Sequence, residues 1–138
     1  MSSVELDNLV GIGQLKTEPP GADELDGLMR SGEFRLEDAE REDLSFESRF
    51  DLAYNAAHAL ALYALRRMGY RPANRYIVFQ TLKHTAGLEV GDWRVLAKAH
   101  ERRNMAEYEG YLEHDGQLLI DVIAATRVLR DALRARWP

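Results

Sequence analysis

The chain has 138 residues, 46% of them hydrophobic, which is about one domain and enough to bury a core that needs no covalent staples. Its 23 acidic residues outnumber the 18 basic ones for a formal net charge of −5, so overall charge gives no drive toward nonspecific nucleic-acid binding and any basic patch must be local. The absence of cysteine excludes a disulfide framework, a thiolate metal site and a cysteine nucleophile, and it suits a reducing compartment.

The N-terminus lacks the basic-then-apolar order of a signal peptide, and no run approaches the roughly 20 apolar residues of a membrane span. A cytoplasmic protein without membrane association is expected. Residues 1–22, ending at Pro19-Pro20-Gly21, show no sustained period and read as an irregular arm outside the core. From Asp23, one short helical piece (Leu25, Leu28, Met29) stops at Ser31-Gly32, and a second around Phe34, Leu36 and Ala39 runs into an acidic turn.

The strongest periodic segment follows. Phe46, Phe50, Ala53, Tyr54, Ala57, Leu60, Ala61, Ala64, Leu65 and Met68 recur at helical spacing. Ser45 is placed as its N-cap, Gly69 supplies a left-handed C′ residue, and Pro72 prevents continuation. A further helix from Asn74 carries Ile77, Val78, Phe79 and Leu82 inward until Gly87. Asp92 is read as the cap of the next helix, which extends to about Glu113. Asp115 then caps a last one with Leu119, Val122, Ile123, Leu129, Leu133 and Trp137 on one side. No run of four to eight residues alternates, so the expected class is all-α, an up-down antiparallel bundle of four to five helices over residues 23–138.

Charge is unevenly divided. The stretch from Asp23 to Asp51 is acidic, whereas Arg127, Arg130, Arg134 and Arg136 crowd the end. Three readings are open: the two attract each other, the last helix offers a cationic face, or both are solvated surfaces.

Chemistry concentrates on residues 100–111. The stripe begun by Trp93, Leu96 and Ala97 continues through His100, Asn104, Glu107, Tyr108 and Tyr111, with Arg103 on its flank, at 3.6 residues per turn. Polar groups thus occupy positions where core is expected, and an unsatisfied buried one costs about 1–3 kcal/mol. One account makes His100 a satisfied core histidine and Arg103–Glu107 a helical i,i+4 pair. The other makes the stripe a site. Arg103 would grip a phosphate through its planar fork, Asn104 would orient the arginine or a ribose, and His100 or Tyr108 would handle a proton in RNA cleavage. Glu107 lines the same surface and would repel a phosphate unless Arg102 or Arg103 neutralises it.

Other signals are weaker. His58, His84, His100 and His114 have no ligand spacing, so neither a metal nor a cofactor is expected. Gly11-Ile12-Gly13 lacks the helix and third glycine of a dinucleotide loop. Tyr54 with Tyr63, and Arg75 with Tyr76, read as packing and surface.

Taken together, the two long helices resemble the HEPN family of small helical bundles. The segment from Ser48-Arg49 through Ala53-Tyr54-Asn55-Ala56 to Gly69-Tyr70-Arg71-Pro72 is similar to its second helix and following turn. Arg103-Asn104 followed by Tyr108 resembles its signature, an arginine, usually an asparagine, and then a histidine four to six residues after the arginine. Position 108 carries tyrosine in place of that histidine, and Gly110 stands where a further tyrosine is frequent in the toxin subset. The resemblance implies a homodimer whose signature helices face one another across a cleft. It further implies either a nucleotide-, RNA- or partner-binding module or a metal-independent RNase toxin paired with a nucleotidyltransferase-type antitoxin. The aromatic stripe of Trp93, Tyr108 and Tyr111 is the expected dimer contact.

Overall fold

The computed structural model describes residues 3–138. Its elements are α1 (Val4–Gly11), β1 (Leu15–Thr17), α2 (Ala22–Ala39), α3 (Phe46–Arg67), β2 (Tyr70–Pro72), α4 (Arg75–Gln80), α5 (Leu82–Thr85), α6 (Val90–Glu109) and α7 (Gly116–Arg136). The fold is all-α, with one two-stranded ribbon among the described residues, in which Leu15 pairs with Pro72, Lys16 with Arg71 and Thr17 with Tyr70.

Four long helices make the bundle, and cross-helix pairs give their directions. Glu24 at the start of α2 meets Arg66 at the end of α3, while Arg49 near the start of α3 donates to the Ala39 carbonyl at the end of α2. Along α3 and α6 the order also reverses, since Asp51 pairs with Arg103 and Tyr54 with His100. Phe46 stacks on His114 just before α7, and Tyr63 meets Trp137 just after it, so α3 and α7 run the same way. The result is up-down-up-down. α3 is central, burying Phe50, Ala53, Tyr54, Ala57, Leu60, Ala61 and Ala64 against α2, α6 and α7.

The caps at Ser45, Asn74 and Asp115 accept from the backbone of Ser48, Ile77 and Leu118 as their positions predict. Between α2 and α7, Arg127 reaches Glu40 at 2.8 Å and Arg134 reaches Glu33, so the acidic and basic ends do attract each other. Such exposed pairs contribute at most about 1 kcal/mol each.

Four sequence expectations change. The N-terminal arm is packed structure: Leu6 and Leu15 are buried with Leu65, Tyr70 and Ile77 in a second small core. The two short pieces after Asp23 are one continuous helix, α2, passing through Ser31-Gly32. The segment after Asn74 divides near Thr81 into α4 and α5. The signature helix begins at Val90, with Glu89 rather than Asp92 in the N-cap position and no side-chain cap, and ends at Glu109 because Gly110 takes φ +80°.

Gly32 is buried where α2 crosses α3. A Cβ there would stand 2.6 Å from both Cγ and Cδ2 of Leu60, itself fully buried and unable to yield. Gly32→Ala is therefore expected to destabilise by about 1–3 kcal/mol through overpacking, despite the better helix propensity of alanine. Urea unfolding at constant m-value checks this. A stabilised variant would mean that the helices separate without cost.

Candidate functional site

His100 is 6% exposed on α6 and bonded at both ring nitrogens. Nδ1 lies 3.0 Å from the buried Tyr54 hydroxyl on α3, and Nε2 lies 3.1 Å from Nδ2 of Asn104, one turn along α6. Because the amide nitrogen can only donate, Nε2 accepts and Nδ1–H donates to Tyr54, which fixes the neutral tautomer. Burial, chiefly, and then the Arg75 charge hold the imidazole below its ordinary value, against a smaller opposing pull from Glu101 and Glu107.

Arg103 lies beside this chain of hydrogen bonds. Its guanidinium carbon sits 5.6 Å from the Tyr54 ring centre, its Nε 3.0 Å from Oδ1 of Asp51, and its Nη1 3.9 Å from Oε1 of Glu107. It borders an open groove of about 400 Å³ between the start of α3 and the end of α6, with Glu47, Asp51, Ala106, Tyr111 and Leu112 among the other walls. Two carboxylates on the α3 side make this groove mixed in charge rather than cationic.

Of the sequence-predicted residues, His100, Asn104 and Arg103 come together, with Glu107 at the exposed edge. Tyr108 does not join them. It is 91% exposed and points away, because positions 103 and 107 take the flank facing α3. Trp93 is half-buried with Arg94 over its ring, so it does not extend an open stripe to Tyr108 and Tyr111; Met105 does, at 53% exposure.

Asp51 and Tyr54 were missed as site residues. Tyr54 sits in the apolar stripe of α3 and so looks like ordinary core, and Asp51 one turn earlier looks like surface. The detectable signal is the i,i+3 spacing, which puts both on the edge of α3 that meets α6. Among the described residues no group of three or more His, Asp or Glu side chains has the arrangement to hold a metal ion. Among the described residues no helix is long and apolar enough to cross a membrane.

Comparison of the chain with protein-family models, curated proteins and solved structures finds no match in any of the three.

Proposed function

We propose that the chain is a HEPN-like homodimeric binding module that takes a nucleotide or RNA on the α3–α6 face. The observation that carries this reading is Arg103. It is about one-third exposed, braced against Tyr54 and Asp51, and set at the mouth of a groove large enough for a small ligand. An arriving phosphate competes with the half-exposed Asp51 for the guanidinium, a weak surface pair to displace.

The RNase-toxin reading fits this face less well. His100 uses both nitrogens internally and its charged form is disfavoured, so it is poorly placed to give or take a proton. Tyr108 stands outside the constellation. Exposed Met105, Tyr108 and Tyr111 are the surface on which a second copy would seat.

Fluorescence titration with a labelled oligoribonucleotide tests the reading. Binding is expected without metal, and Arg103→Ala is expected to weaken it about tenfold or more, as for loss of one charge-assisted contact. The RNA should remain intact. Metal-free cleavage abolished by Arg103→Ala would replace the module with the toxin, and exclusive co-purification with a nucleotidyltransferase-type protein would assign the face to partner binding. Sedimentation at micromolar concentration showing only monomer would remove the dimer.

A further inference from the structure

The short helix α4 brings a second cation and an aromatic ring to the same face. The Tyr76 ring centre lies 5.7 Å from that of His100, yet Tyr76 is 43% exposed, so one side of the phenol remains open. Phe79, fully buried one turn later, fixes this edge, its ring 5.9 Å from both His58 and His100. Arg75 is exposed and near enough for its charge to act on both histidines.

The difference from its neighbours is compensation. Arg103 is engaged by Asp51 and Glu107, and Arg102 by Glu113 and Asp115, whereas no carboxylate among the described residues pairs with Arg75. Asn104 commits its amide nitrogen to His100, leaving its exposed oxygen as an acceptor without a protein partner.

We propose that Arg75, Tyr76 and Asn104 form a subsite for a nucleoside monophosphate, with the phosphate on the Arg75 fork, the base on the open face of Tyr76, and a base or ribose donor on the Asn104 oxygen. It rests on the reading of this face as a nucleotide site and adds a second phosphate position to the one at Arg103. A guanidinium with no internal anion offers a phosphate its full charge, whereas Arg103 must first release Asp51. Stacking on a tyrosine tolerates any base, so the subsite recognises the nucleotide class rather than one nucleobase.

A proton-linked signature follows from the same geometry. Burial first, then Arg75 and His100, depress His58 to about 4; burial and Arg75 also hold His100 down, opposed by Glu101 and Glu107 on α6. A phosphate on Arg75 cancels that cationic field and favours the His58 imidazolium, whereas His100 stays neutral because its Nε2 accepts from the Asn104 amide. The His58 midpoint therefore moves upward on binding.

Calorimetric titration of the full chain with AMP, adenosine and inorganic phosphate tests the subsite, with histidine ring resonances followed by NMR. AMP is expected to bind, Arg75→Ala to weaken it about tenfold or more, and Tyr76→Ala to weaken AMP while sparing inorganic phosphate. The His58 midpoint should rise on AMP saturation in wild type and stay put in Arg75→Ala. Because Arg75 has no internal partner, that variant should melt like wild type. AMP binding lost in Arg103→Ala but retained in Arg75→Ala overturns the subsite and leaves the nucleotide-binding face standing. RNA binding through Arg103 with no AMP binding at millimolar concentration does the same. Failure of both RNA and AMP to bind overturns both readings.

Discussion

Glu24→Ala is expected to destabilise the chain by about 2–3 kcal/mol, lowering Tm by roughly 10 °C. The reason is Arg66, a guanidinium 1% exposed at the end of α3. Its Nε and Nη2 donate to the two carboxylate oxygens of Glu24 at 2.8 and 3.1 Å, Nη2 also lies 3.0 Å from Glu18, and the carbonyls of Glu18, Pro19 and Tyr70 take further bonds. Removing Glu24 leaves a buried cation with one carboxylate, and an uncompensated buried charge costs more than its ion pair contributes. Glu24 is itself about one-third exposed and Glu18 remains, so the loss falls below the 3–5 kcal/mol of a fully buried pair. Replacement by Gln keeps an acceptor and should recover part of the loss.

The same cluster gives acid sensitivity a sign. Glu24 is held below the usual carboxylate range, mainly by the Arg66 hydrogen bond and against the cost of burial. Glu18 is lowered mainly by its hydrogen bond from Arg71. A carboxyl lowered in the folded state stabilises fully above its unfolded value of about 4.3, and that stabilisation disappears as pH falls through the lowered folded value. The gap between wild type and Glu24→Ala should thus be widest near neutrality and shrink below about pH 4. Guanidinium unfolding at pH 7 and pH 3.5 checks it. A gap of equal size at both would mean that charge pairing is not what Glu24 contributes.

How much of this could be read in advance depended on how local the cause was. The helix starts at Ser45, Asn74 and Asp115 were legible because a capping side chain acts on a backbone group three residues away. Gly32 misled the reading of α2 because its reason lies in Leu60, 28 residues along the chain, which needs a neighbour without a Cβ. The β ribbon was invisible because three residues per strand leave no alternation to detect, and its register comes from pairing across more than fifty residues. At the site, the helical period correctly put His100 and Asn104 on one face. It could not show that Tyr54 would satisfy His100 or that Asp51 would brace Arg103, since both come from α3. Nor could it show that Arg103 and Glu107 would take the flank facing α3 and leave Tyr108 in solvent.

The largest single-residue effect is expected for Leu6→Ala, about 2–5 kcal/mol, in a segment whose composition suggests a loose lead-in. Leu6 is fully buried, held by the Ser3 hydroxyl that accepts from its N–H at 3.1 Å and so caps α1. It packs with Leu15, Leu65, Tyr70 and Ile77, and the Tyr70 hydroxyl donates to Asp7 at 2.7 Å across the same contact. Leu65 is the link to the main bundle: it lies on α3 one residue before Arg66, so the small core and the Arg66 cluster brace the same turn. Truncation at Leu6 opens a cavity that α1, tethered by the ribbon, can close only by shifting away from Tyr70. Ile12→Ala, at a side chain 71% exposed, should change stability by less than about 0.5 kcal/mol and serves as the control within the same segment. Equal and small effects for both would return residues 3–17 to the status of an arm. A large effect at Leu6 alone makes them an integral layer of the fold, and the backbone of Glu18 and Pro19 then meets Arg66 as a consequence of how that layer is anchored.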